Sequence, residues 1–132
     1  MSEIIAKVIE IKNHESLHIV KFGLFEDEVS MMSLELPNLK VGMKVVLGVK
    51  PINIIIAKNL KGHISFSNRL NMKIIDIDVG ELLCSVRLLY NDIELESIMT
   101  RDIFEEMKLK IDDVVTAFIK ASELSIKKIL NV

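Results

Sequence analysis

Two short polar segments carry the groups this chain would need to hold an anion. Ser65-Phe66-Ser67-Asn68-Arg69-Leu70 offers two hydroxyls, an amide and a guanidinium within six residues. Lys120-Ala121-Ser122 offers an ammonium and a hydroxyl, and Lys50-Pro51-Ile52-Asn53 is its counterpart earlier in the chain. Hydroxyls, amides, backbone N–H groups and cations donate hydrogen bonds and neutralise charge, which suits a tetrahedral oxyanion. Taken singly, each has an ordinary reading. Serine and asparagine form turns in linkers, and an isolated lysine is usually solvated.

Other chemistries fare worse. His14-Glu15-Ser16-Leu17-His18 has the spacing of a zinc-protease site, but that site needs a helix to bring both imidazoles onto one face about 6 Å apart. The surrounding pattern is strand-turn-strand. Along an extended strand four residues span about 13 Å, too far for one zinc ion. Cys84 lies in an apolar run, Leu82-Leu83-Cys84-Ser85-Val86, and reads as a small buried hydrophobe rather than a nucleophile. Asp76/Asp78 and Glu94/Glu96 are carboxylates two apart, which in a strand share one face, the solvated face of a sheet. No phosphate-loop spacing of glycines occurs.

The elements that must position these residues are written twice. Ala6-Lys-Val-Ile-Glu-Ile11 recurs as Met72-Lys-Ile-Ile-Asp-Ile77, an offset of 66 (72 − 6). Leu39-Lys-Val-Gly42 recurs as Leu109-Lys-Ile-Asp112, an offset of 70 (109 − 39). An internal period of this size marks a duplicated unit. The expected halves are 1–62 and 63–132, each near the lower size limit for independent folding. Runs rich in β-branched residues predict strands over 4–11, 17–25, 43–49 and 52–57, then over 72–78, 82–90, 93–99, 114–120 and 124–129. One helix is expected after Thr100, which can cap it, with Asp102 in its first turn and Ile103, Phe104 and Met107 on one face. The matching stretch, Ser33 to Asn38, contains Pro37 and reads as a turn. About five short strands per half predict an all-β chain of two tandem OB-like barrels, with one short helix in the second.

Composition narrows the function. Half the residues are hydrophobic and mean hydropathy is +0.38, yet no apolar run reaches the roughly 18–20 residues of a membrane helix. Apolar excess without a membrane span points to oligomer interfaces. A single cysteine and the absence of a visible signal peptide fit a cytoplasmic protein. Net charge is −2 and aromatics are 5% with no tryptophan. A broad basic surface and base-stacking platforms are both missing, which argues against nucleic acid as a partner.

The two polar segments, placed on this strand pattern, resemble the molbindin family, also called Mop or TOBE domains. The family's entry motif, Ser-Ala-Arg-Asn-x-Leu, matches Ser65-Phe-Ser-Asn-Arg-Leu70, and its closing motif, Ile-Lys-Ala-Thr/Ser, matches Ile119-Lys-Ala-Ser122. The likeness is specific over 65–130 and looser over 4–58. It implies a tandem di-Mop protein, typically a homotrimer, holding molybdate or tungstate at interfaces between barrels. It implies no catalysis, no membrane and no nucleic acid. Ser65 and Ser67 would reach the anion from one barrel, and Lys120, Ala121 and Ser122 from another. Asn68, Arg69 and Lys50 complete the candidate set. Ser67 stands where the family has arginine, and Arg69 is placed to substitute. Pro51-Ile52 stands where the second half has Ala121-Ser122, and a first copy of the entry motif would fall before Met1. Fewer or unequal sites are therefore expected. The implied role is cytoplasmic molybdate storage and homeostasis. The alternative is a molybdate-sensing module acting through a transporter or repressor.

Overall fold

A computed structural model describes residues 2–130. Ten strands run β1 (Ser2–His14), β2 (Leu17–Leu24), β3 (Asp27–Ser33), β4 (Lys44–Val49), β5 (Ile54–Ala57), β6 (Asn68–Val79), β7 (Leu83–Tyr90), β8 (Ile93–Thr100), β9 (Val114–Ile119) and β10 (Ser125–Leu130). The helix, α1, is Arg101–Met107. Short 3-10 turns at Pro51–Asn53 and Ala121–Glu123 precede β5 and β10.

The duplication is visible in detail. Burial alternates along β1 and β6 from their first residues, so Ile4, Ala6 and Val8 point inward as Leu70, Met72 and Ile74 do. This is the period-two pattern of a strand with one face on a core. Strands β4 and β9 have the same burial pattern, residue for residue. Each long strand is bulged at the matched place, between Val8 and Glu10 and between Ile74 and Asp76. The bulges let Gly42 and Asp112 donate to the carbonyls of Val8 and Ile74, each at 2.8 Å. That turn requires positive φ, supplied by Gly42 at 97° and by Asp112 at 76°.

The sheets are not divided where the chain is. The order in one is β10-β4-β1-β2-β3 and in the other β5-β9-β6-β7-β8. The fifth strand of each half completes the sheet of the other: Ile54 pairs with Ile119, and Ser125 with Gly48. The chain forms two OB-like five-stranded barrels in tandem, with exchanged last strands and one contiguous apolar core. Ile54 and Leu124 occupy matched buried positions in the exchanged segments.

Some expectations differ in extent. Strand β3 carries no strong apolar run and goes unread in the first half, although its copy, β8, is plain. The segment Ile52–Ala57 splits into the end of a 3-10 turn and β5, because Pro51 fixes the backbone for a turn. Thr100 occupies the N-cap position without a side-chain capping bond. The Arg101 N–H donates instead to Leu82 O at 2.9 Å.

Candidate anion-binding site

The strand register decides which donors meet. In the β6–β9 ladder Asn68 is opposite Ile119. One step beyond the ladder stand Ser67 on one side and Lys120 on the other, so the entry and closing segments leave the same end of the same sheet. The resemblance implies that the two segments meet an anion from different barrels; within one chain they also share this sheet end. The chain's own pairing makes them neighbours before any second copy is added. In the first sheet Ser2 is opposite Val49, which puts Lys50 at the matched position. Ser65, Ser67, Lys50, Lys120 and Ser122 are all exposed, and Ala121 is half-buried.

Lys50 and Lys120 have nearly the same backbone, φ −73°, ψ 137° and φ −69°, ψ 136°. Each carbonyl accepts an N–H three residues on, from Asn53 and Glu123, at 2.9 Å. These two turns touch: the Asn53 side-chain amide donates to the Glu123 carboxylate at 2.9 Å. Asn53 and Glu123 are matched residues of the two halves, so this contact marks the pseudo-twofold junction.

Two candidate side chains are engaged elsewhere. Asn68 is 1% exposed; its amide accepts from the Ser30 N–H at 2.6 Å and donates to the Ser30 carbonyl at 2.8 Å. It clasps β3 to β6 across the halves. Ser2, its matched residue, accepts the Glu96 N–H at 2.8 Å and makes the second, simpler clasp. Arg69 folds back, donating to Phe66 O at 2.9 Å and Ile64 O at 3.1 Å. It fixes the entry segment rather than reaching outward. Sequence reasoning missed both roles: the partner of Asn68 is a backbone 38 residues away brought by tertiary packing, and those of Arg69 are carbonyls of its own segment that its residue type does not announce. Ser122 lines a cleft of about 640 Å³ between the edges of the first sheet, with Met31, Leu36 and Ile126 among its walls.

The remaining candidates fall out as structure. Residues 10–22 form a hairpin, with Asn13 opposite His18 and the His18 ring hydrogen-bonded to the Asn13 amide. Cys84 is buried. Asp76 lies beside Arg87 at 3.8 Å, and Glu96 accepts from the Ser85 hydroxyl at 2.6 Å, both on an outer face. Away from these, the Tyr90 hydroxyl bonds Asp27 across the halves. Burial first, then the Asp27 carboxylate, push the phenol up to about 12. The Asp113 carboxyl is lowered by the Lys110 N–H and then by Lys58, whose ammonium is 3.2 Å away.

Fold and site together define a duplicated OB-like protein whose two polar turns meet at a junction. The TOBE domain family matches residues 64–126. The cytoplasmic molybdate-binding protein ModG, in a crystal form with molybdate bound, shares 25% identity over 94% of this chain and 93% of its own, with a TM-score of 0.88. A molybdate-binding protein from Sporomusa ovata shares 30% identity, covering 51% of this chain and 100% of its own, with a TM-score of 0.49. No curated protein matches by sequence. The chain belongs to the molbindin family of TOBE-domain proteins. Among the described residues no helix is long and apolar enough to cross a membrane.

Proposed function

We propose that this protein binds molybdate or tungstate, holds it without covalent chemistry, and serves storage and homeostasis of the anion in the cytoplasm. The observation that supports the reading is the β6–β9 register, which brings the entry and closing segments to one end of one sheet in a fold matched to ModG. Ser65, Ser67, Lys120 and Ser122 are the direct donors in this proposal, with the Ala121 and Ser122 backbone N–H groups beside them. Asn68 and Arg69 position the entry segment. Lys50 offers a weaker site, since Pro51 lacks the N–H that Ala121 supplies. The units 1–62 and 63–132 are the proposed duplicated domains.

A homotrimer would bring the exposed lysines toward a neighbouring copy. Lysine ammonium groups gathered in an interface carry a desolvation cost that a dianion relieves, so binding and assembly are coupled. Calorimetric titration with molybdate, tungstate and sulfate tests the reading. Heat with the first two, at least tenfold weaker in Lys120→Ala and Ser122→Ala, supports it. The absence of heat from all three rejects it.

A further inference from the structure

The closing segment carries an acid directly after its donors. Glu123 follows Lys120, Ala121 and Ser122, and its N–H closes the turn on the Lys120 carbonyl at 2.9 Å. In a 3-10 turn, side chains three residues apart lie on the same side. An unrestrained carboxylate at 123 would therefore lean over the Lys120 ammonium. It would pair with that cation and repel an incoming dianion.

The structure holds the carboxylate elsewhere. Among the described residues neither Lys120 nor Glu123 belongs to an ion pair. The Asn53 amide donates to the Glu123 carboxylate at 2.9 Å instead. Because the two are matched residues of the duplicated turns, the contact joins like position to like position across the junction. Two acids there would repel. Two amides would leave no charge to restrain.

Asn53 is the fixed member of the pair. It is half-buried, whereas Glu123 is exposed. The next residue, Ile54, is 1% exposed, and its carbonyl accepts the buried Ser97 hydroxyl at 2.6 Å. The residue matched to Ser97 is Met31, whose thioether has no proton to donate. The first-half turn is thus tied to the opposite sheet by a bond that its copy cannot make.

We propose that Asn53 is a positioning residue for the anion site at the opposite turn. Its amide draws the Glu123 carboxylate off Lys120 and leaves that ammonium free for molybdate. This role rests on the reading of Lys120 and Ser122 as anion donors. It gives the first half a task at the second half's site, whatever Pro51 costs its own.

Calorimetric titration of the full chain with molybdate tests it. Asn53→Ala is expected to bind about three- to tenfold more weakly than wild type while circular dichroism stays native. Asn53→Asp keeps the outline of the side chain but adds a charge, and is expected to lose more. On a Glu123→Gln background the Asn53→Ala penalty disappears, because no carboxylate remains to swing back. Raising the ionic strength shrinks the penalty as well, since exposed charges are screened. A mere change in turn shape would respond to neither. Wild-type heat with Asn53→Ala binding equally well overturns the role of Asn53 alone, and so does a penalty that persists beside Glu123→Gln. No heat from the wild type overturns the anion reading itself, and the role of Asn53 with it.

Discussion

The first and second sheets share the burial pattern of β4 with β9 and of β1 with β6 over their first turns of alternation, yet their outer rows are opposite in chemistry: Val46, Ile5 and Phe25 against Thr116, Asn71 and Asn91. Inside, matched positions are held alike because a five-stranded barrel of this size leaves little freedom of volume. Outside, nothing but the neighbour constrains the residue. The second sheet's neighbour is its own entry segment, so polar residues suffice around Phe118. Duplicated cores therefore report ancestry, while duplicated surfaces report what each copy has come to touch.

The exchanged strands make the largest prediction. If each half completes the other, chains cut to 1–62 or 63–132 fail to fold alone and recover native circular dichroism when mixed. A half that folds by itself breaks the comparison at its root. Next come the matched core residues. Ile54→Ala and Leu124→Ala are each expected to cost about 2–5 kcal/mol in denaturant unfolding. A large inequality between them would show that the halves are less alike in energy than in outline.

The two clasps sharpen the comparison further. Asn68→Ala strands a buried N–H and a carbonyl of Ser30 and is expected to cost roughly 2–3 kcal/mol. Ser2→Ala removes one bond and is expected to cost about 1 kcal/mol. Equal costs would mean the second hydrogen bond of Asn68 contributes nothing.

Tyr90 gives a pH test that the first half cannot supply, because its matched residue is Leu24. It is the chain's single tyrosine, and there is no tryptophan, so phenolate absorbance reports it alone. Its folded value is raised from 10.0 to about 12. The stability it contributes is present below pH 10 and is lost as pH rises toward 12. Asp27→Asn is expected to move the midpoint part of the way back. A wild-type midpoint near 10 would remove the Asp27 contact from the picture. The smallest effect is at Asn71, whose exposed contact with Thr116 is expected to change stability by less than about 0.5 kcal/mol on substitution with alanine.

Much of this was legible in the residues. The repeat of Ala6–Ile11 as Met72–Ile77 announced two like units. Alternating β-branched runs announced strands, and Thr100 with Asp102 marked the helix start. The four-residue change of offset lies between β3 and β4, where α1 has no first-half equivalent. The false zinc pattern at His14 was rejected by its place in a hairpin. Strand β3 was readable only through its copy, since Asp27, Glu28, Ser30 and Ser33 dilute its apolar positions. The roles of Asn68 and Arg69 were not readable at all. An amide or a guanidinium looks the same in a sequence whether it faces an anion or a backbone carbonyl.

By itself, the sequence determined the period, the alternation and the donor types, because these are properties of neighbours along the chain. Which sheet each last strand joins, and which polar segments leave the same end of β6 and β9, were decided by tertiary structure. Those depend on contacts between residues some 70 positions apart, and local preference is equally satisfied by either partner.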